Sequence, residues 1–307
     1  MSGQVWDVIT GRLADRWAGL AAPAVVFWVG GVLAWAFAGP DWSRLPRITQ
    51  WMNDQTAAAV VAALLGASAL TAASVIVVQR LTAPVLRLLE GYWPAWLDRL
   101  ADRRRRRVLE RKTAEHVAWQ QLQSDIDETE TTPGQRSQLA RLEARRRHRP
   151  IHDNDTLPTR VGNILRAAET RPHYYYGLDA VIVWPRLWLV LPDLARQEVA
   201  SARASLDASV AAVIWGVAFM VFTPLAWWAA PAGAVVATTA VAWWVPARAE
   251  TFSDLIEGAF DLYRWALYQQ LRWPLPDHPQ AEHKSGSDLT KYLDRGSCES
   301  RPKFTPP

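Results

Sequence analysis

The sequence predicts an all-α integral membrane protein with two transmembrane helical hairpins and a cytosolic helical domain between them. Three observations carry that expectation. Half of the 307 residues are apolar, yet the mean hydropathy is -0.08, so apolar and polar residues must lie in separate blocks. Four of these blocks carry no charge over a length able to cross a hydrocarbon core of about 30 Å. Tryptophan, with 18 residues against 7 Tyr and 7 Phe, gathers near the ends of the blocks, where a ring with one polar edge suits the headgroup boundary.

The first hairpin occupies residues 1–80, with spans expected at about 20–39 and 56–78. Trp17 precedes it and Trp42 and Trp51 sit in its loop. The second hairpin belongs to 206–273. Its spans are expected at about 208–228 and 231–247, with Ala-Ala-Pro-Ala-Gly (229–233) breaking the helix and Trp227, Trp228, Trp243 and Trp244 at the ends. Lys and Arg set the orientation. Residues 81–205 hold 21 of the chain's 34 basic residues, whereas the 40–55 loop holds only Arg44 and Arg47, so the long segment and both termini are expected in the cytoplasm of a cell membrane. No cleavable signal fits the first apolar run, which reads as a retained anchor.

Within 81–205 the second span should project inward to about Tyr92, with Pro84 a kink. Ala95 to Glu130 and Gln135 to His148 have helical spacing and flank a turn at Thr132-Pro133-Gly134, which predicts a helical hairpin or short coiled coil. The run Arg103, Arg104, Arg105, Arg106 and Arg107 is assigned to anionic phospholipid headgroups; nucleic acid is the disfavoured partner. Beyond Arg248, Phe252, Ile256, Phe260, Tyr263 and Leu267 continue a helix to Trp273 with an apolar face that needs a cover. Residues 274–307, rich in Pro, Gly and Ser, read as a flexible tail, with Leu289 to Leu293 as one docking turn.

The stretch 157–192 is less polar. Thr159 is a candidate cap for a helix to about Thr170, and 178–191 is apolar but too short to span, interrupted by Pro185 and Arg186. Trp184, Arg186 and Trp188 mark it as an interfacial anchor, with a buried helix under the hairpin as the alternative. The segments LPTRVGNILRAAE and GLDAVIVWPRLW resemble parts of uncharacterised actinobacterial multi-pass membrane proteins. That resemblance is limited to these segments. It implies a four-span membrane protein and brings no known activity.

Chemistry leaves few marks. The lone Cys298 excludes an intrachain disulfide framework or a CxxC metal site, and no HExxH, GxSxG, Walker A or GxGxxG motif occurs. No catalytic residue, metal or cofactor is expected, and the chain reads as no enzyme. The spans also lack ionisable residues, which disfavours an ion-coupled carrier. They do hold small residues at four-residue spacing, including Gly30 and Ala34, Ala62 and Gly66, and Ala212 and Gly216, which permit close helix packing. The expectation is a self-associating homo-oligomer acting as a membrane-anchored assembly or pore-like component, with Ser68, Thr71 and Ser74 lining a passage. The alternative is a tether whose cytosolic module recruits a protein partner or anionic lipid.

Overall fold

The computed structural model describes residues 22–36, 55–128, 132–296 and 304–305. Of the described residues 85% are helical and none is in a strand. The helices are α1 (Ala22–Ala36), α2 (Ala57–Glu90), α3 (Asp98–Glu128), α4 (Pro133–Arg147), α5 (Arg160–Tyr176), α6 (Ala180–Val190), α7 (Asp193–Phe219), α8 (Ala229–Thr239), α9 (Val245–Gln270) and α10 (Pro279–Arg295). They fall into two compact units: Met1–Leu86 with Asp207–Trp244, and Arg87–Leu206 with Val245–Pro307.

Three helical stretches, beginning at Ala57, Asp193 and Ala229, are long and apolar enough to cross a membrane. The most apolar window of the first is only 6% buried by the chain, against 28% and 33% for the others. An apolar helix left this bare needs lipid or another helix around it. Of the expected first span, residues 22–36 form α1; its ends, with Trp17, Trp42 and Trp51, lie outside the described residues.

In the first unit α1 packs on the end of α7 through rings. Phe27 lies 4.9 Å from Trp215 and 5.2 Å from Phe222, and Trp28 donates to Ser74 Oγ on α2 at 3.1 Å. The helix break expected at 229–233 lies earlier. Helix α7 ends at Phe219, a 3-10 turn covers Met220–Phe222, and α8 begins at Ala229 and runs through Pro231. Pro231 sits in the first turn, where its missing N–H would have had no intrahelical acceptor, so it starts a helix instead of breaking one. A π-helical turn, Ala240–Trp244, follows α8.

The second unit has the denser core. Leu178, Val183, Leu187, Phe260, Leu267 and Leu289 are all at most 1% exposed and form one cluster. The apolar face of α9 is thus covered by α5, α6 and α10. Pro84 leaves α2 helical as far as Glu90, where Gly91 closes it at φ 101 with bonds from Gly91 N to Leu88 O and from Tyr92 N to Arg87 O. These are the two bonds of a Schellman C-terminus, and the left-handed residue it needs is readily supplied by glycine. Thr132-Pro133-Gly134 does not form a separate turn. Thr132 and Gln135 make a capping box and Pro133 is the first residue of α4.

Within the expected tail, the docked part is longer than one turn around Leu289 to Leu293. Pro279–Arg295 is a helix capped by His278, whose Nδ1 accepts from Ala281 N, and it buries Leu289 completely. Gly286 lets it dock: a Cβ there would overlap the Tyr176 carbonyl at the end of α5. Beyond it, Phe304 joins Trp273 and Tyr292, and Thr305 N donates to Arg272 O at 2.9 Å.

Candidate functional site

The polar residues of α9 recur three or four apart and lie on one side of the helix: Glu250, Ser253, Asp254, Glu257, Asp261 and Arg264. Each meets a partner from α5, from α10 or from His148, the residue that closes α4. Arg160 pairs with Glu250 at 2.8 Å, His148 with Asp254 at 2.9 Å, and Arg171 with Glu257. Ser253 donates to Ile164 O at 2.9 Å, Tyr176 to Asp261 at 2.6 Å, and Arg264 to Glu282 at 2.6 Å. A seam of this kind fixes the register of two helices, because a shift by one turn would leave buried charges unpaired.

The start of α5 is held as firmly. Thr159 caps the helix by accepting from Gly162 N and donates its own hydroxyl proton to Glu90 O at 2.8 Å. Asn163, buried, bonds both the N–H and the carbonyl of Leu157. The resemblance-bearing segment at 157–169 is therefore a docking corner for the end of α2.

Beside the seam lies a cleft of about 730 Å³, walled by α3, the end of α4, the 149–153 turn, α5 and α9. Five cations line it, Lys112, Arg146, Arg147, Arg149 and Arg171, against Asp153, Glu257 and Asp261. Each carboxylate is engaged. Lys112 holds Asp153 at 2.7 Å and keeps its carboxyl below the usual range, chiefly by donating a hydrogen bond. Burial pushes the Glu257 carboxyl up while Arg171 pulls it back, and both side chains are largely buried, at 12% and 16% exposure for Arg171 and Glu257. Burial, then the bond to Asp261, raises the Tyr176 phenol to about 12. Arg149 binds Glu115 at 2.8 Å. Arg146 lies 4.1 Å over the Trp119 ring, against which His116 is stacked, and Arg147 has no ion pair among the described residues. The cleft therefore carries uncompensated positive charge on Arg146 and Arg147, both exposed.

The residues singled out from sequence are scattered. Of the basic run, Arg103, Arg104, Arg106 and Arg107 are exposed, with Arg104 5.4 Å over Trp93, while Arg105 turns inward to the carbonyls of Asp153 and Asn154. In α6, Trp184 and Trp188 are partly buried against the core and Arg186 donates to Ile182 O, whereas Val181 and Leu189 face outward at 65% and 75% exposure. Ala34 is buried, and a Cβ on Gly30 would meet the Phe219 ring at 2.7 Å. Gly216 packs on α8, where a Cβ would meet Ala237 N at 2.7 Å; Ala212 is half-buried on the same helix. Ala62 is exposed and Gly66 has nothing within 4 Å. Thr71 and Ser74 bond back to Ala67 O and Leu70 O, Ser74 also accepts from Trp28, and Ser68 is exposed.

The cleft was not found from sequence, although the acidic residues of α9 at helical spacing and the basic cluster at 145–149 were both visible. No three His, Cys, Asp or Glu converge on a metal-sized site among the described residues. Comparison with protein-family models, curated proteins and solved structures gives no match.

Proposed function

We propose that this chain is a non-enzymatic, multi-pass membrane protein that tethers a helical binding module to the cytoplasmic face of a cell membrane through four spans. The observation that carries the reading is a division of labour. One unit has helices whose apolar surface the chain leaves uncovered, and the other has its own core, a paired polar seam and a basic cleft. The excess of Lys and Arg in 81–205 supports placing that module and both termini inside. Helix α6 packs on Phe260, 15 residues or about 22 Å along α9 from Val245, which supports its role as a core helix over that of an interfacial anchor.

Topology is the test. On a Cys298→Ser background, Leu225→Cys should react with a membrane-impermeant maleimide in intact cells, and Ser137→Cys and Lys284→Cys only after permeabilisation. Labelling of Ser137→Cys in intact cells overturns the reading.

Self-association is the second reading, favoured by the empty space beside Gly66. Gly66→Leu should then lower the mass in detergent. The engagement of Ser74 by Trp28 argues against a continuous polar lining along α2 and so against a pore.

A further inference from the structure

We infer that the basic cleft of the second unit is a binding site for a soluble phosphate-bearing anion, such as a phosphate ester or diphosphate. The inference rests on reading Arg87–Leu206 with Val245–Pro307 as a binding module, and not on which side of the membrane that module faces. The charge is arranged for capture. Every carboxylate of the cleft already has a partner, so the guanidinium groups of Arg146 and Arg147 are left for an incoming anion. Arg146 is held over Trp119, its Cζ 4.1 Å from the ring centroid, which restrains a donor of the kind that grips phosphate oxygens in pairs. Deeper in, Arg171 has a buried Nε–H with no acceptor among the described residues, although its other nitrogens are bound to Glu257 and the Arg147 carbonyl. A buried guanidinium N–H without an acceptor carries a desolvation penalty that an oxyanion relieves. Ile151 and the half-exposed Tyr175 ring add an apolar wall for whatever the phosphate is attached to.

Two sources of phosphate are open in principle, a lipid headgroup and a dissolved compound, and geometry favours the second. The cleft meets α9 at Glu257 to Asp261, whereas the apolar run of the last span ends at Ala247. Ten to fourteen residues of helix put the site about 15–21 Å past that end, and the headgroup layer is only about 5–8 Å deep on each side.

The probe is inorganic pyrophosphate, titrated calorimetrically into the full-length protein in nanodiscs of zwitterionic lipid, with parallel nanodiscs containing phosphatidic acid. Pyrophosphate should bind, with Arg146→Ala/Arg147→Ala weakening it at least about tenfold and Arg103→Ala/Arg106→Ala, outside the cleft, changing it less than about twofold. Both pairs are exposed, and unchanged helical circular dichroism controls for folding. No heat at millimolar pyrophosphate, equal effects of the two double variants, or occupation by phosphatidic acid that pyrophosphate fails to compete overturns the assignment. These results are independent of maleimide topology, so either reading can fail alone.

Discussion

Truncating Leu289 to alanine separates a docked C-terminal helix from the loose tail that composition suggests. The side chain is fully buried among Leu178, Tyr268 and their neighbours in the second unit's core. Deleting its three outer carbons removes the transfer energy of those groups and leaves a cavity, which together cost about 2–5 kcal/mol for a buried Leu→Ala. The lower half of that range applies, because α10 lies at the edge of the core and can settle inward. At about 3 kcal/mol the local opening equilibrium of α10 shifts by roughly a hundredfold. Amide hydrogen exchange in nanodiscs reads this directly. Amides of 281–295 should lose about two decades of protection, with a smaller loss at 176–190, where Gly177 O accepts from Thr290 and Asp179 N donates to it. Lys291→Ala on the exposed side of the same helix should change protection by less than about threefold. If 281–295 exchanges in the wild type as fast as an unfolded chain, or if Leu289→Ala leaves it unchanged, the reasoning that makes α10 part of the core is wrong.

The remaining predictions follow from the seam and the helix contacts. Arg171→Met leaves Glu257 buried without its cation and should destabilise the second unit by about 3 kcal/mol in urea titration, while Arg171→Met/Glu257→Met should recover most of the loss; full additivity of the single variants would refute the pairing. Burial raises the Glu257 carboxyl, so the folded state keeps its proton to higher pH than the unfolded state does. Stability from this group therefore falls as pH rises through the interval above the ordinary carboxylate value, and acidification should relieve the Arg171→Met defect; a defect that grows on acidification contradicts the assignment. Gly216→Leu should lower the melting temperature of the purified protein by several degrees, because a side chain there collides with the backbone of α8. Gly66→Leu should leave it within about a degree, since that position is open, and a large drop would show contacts that the monomer does not contain.

Apolar runs were the legible part of the sequence. Period and charge exclusion located α2 and the apolar stretches of α7 and of α8 to α9, and the extension of α9 to the vicinity of Trp273 followed from apolar residues at helical spacing. Two helices start earlier than the sequence suggests, at Ala229 instead of Pro231 and at Pro133 instead of Gln135. Pro231 and Pro133 sit in first turns, where a missing N–H costs nothing, so both begin helices. Pro279 repeats the pattern in α10: the sequence marks Leu289 to Leu293 as a docking turn, and Ser285, Gly286 and Ser287 hide the rest of the helix that His278 caps. Gly286 is needed for contact with Tyr176, a requirement that local pattern does not reveal. The cleft was illegible for a further reason. Its charges come from segments 112–116, 146–153, 171–176 and 257–261, and no single window of sequence contains enough of them to signal a site.

The carbonyl of Arg147 at the close of α4 accepts from Arg171, the same guanidinium that grips Glu257 on α9. One side chain thus clips three helices at a single buried point in the wall of the cleft. An occupant drawing on the spare Nε–H would tighten that clip, so a small dissolved molecule could stiffen the joint between the basic hairpin and the long helix and be felt well away from where it sits.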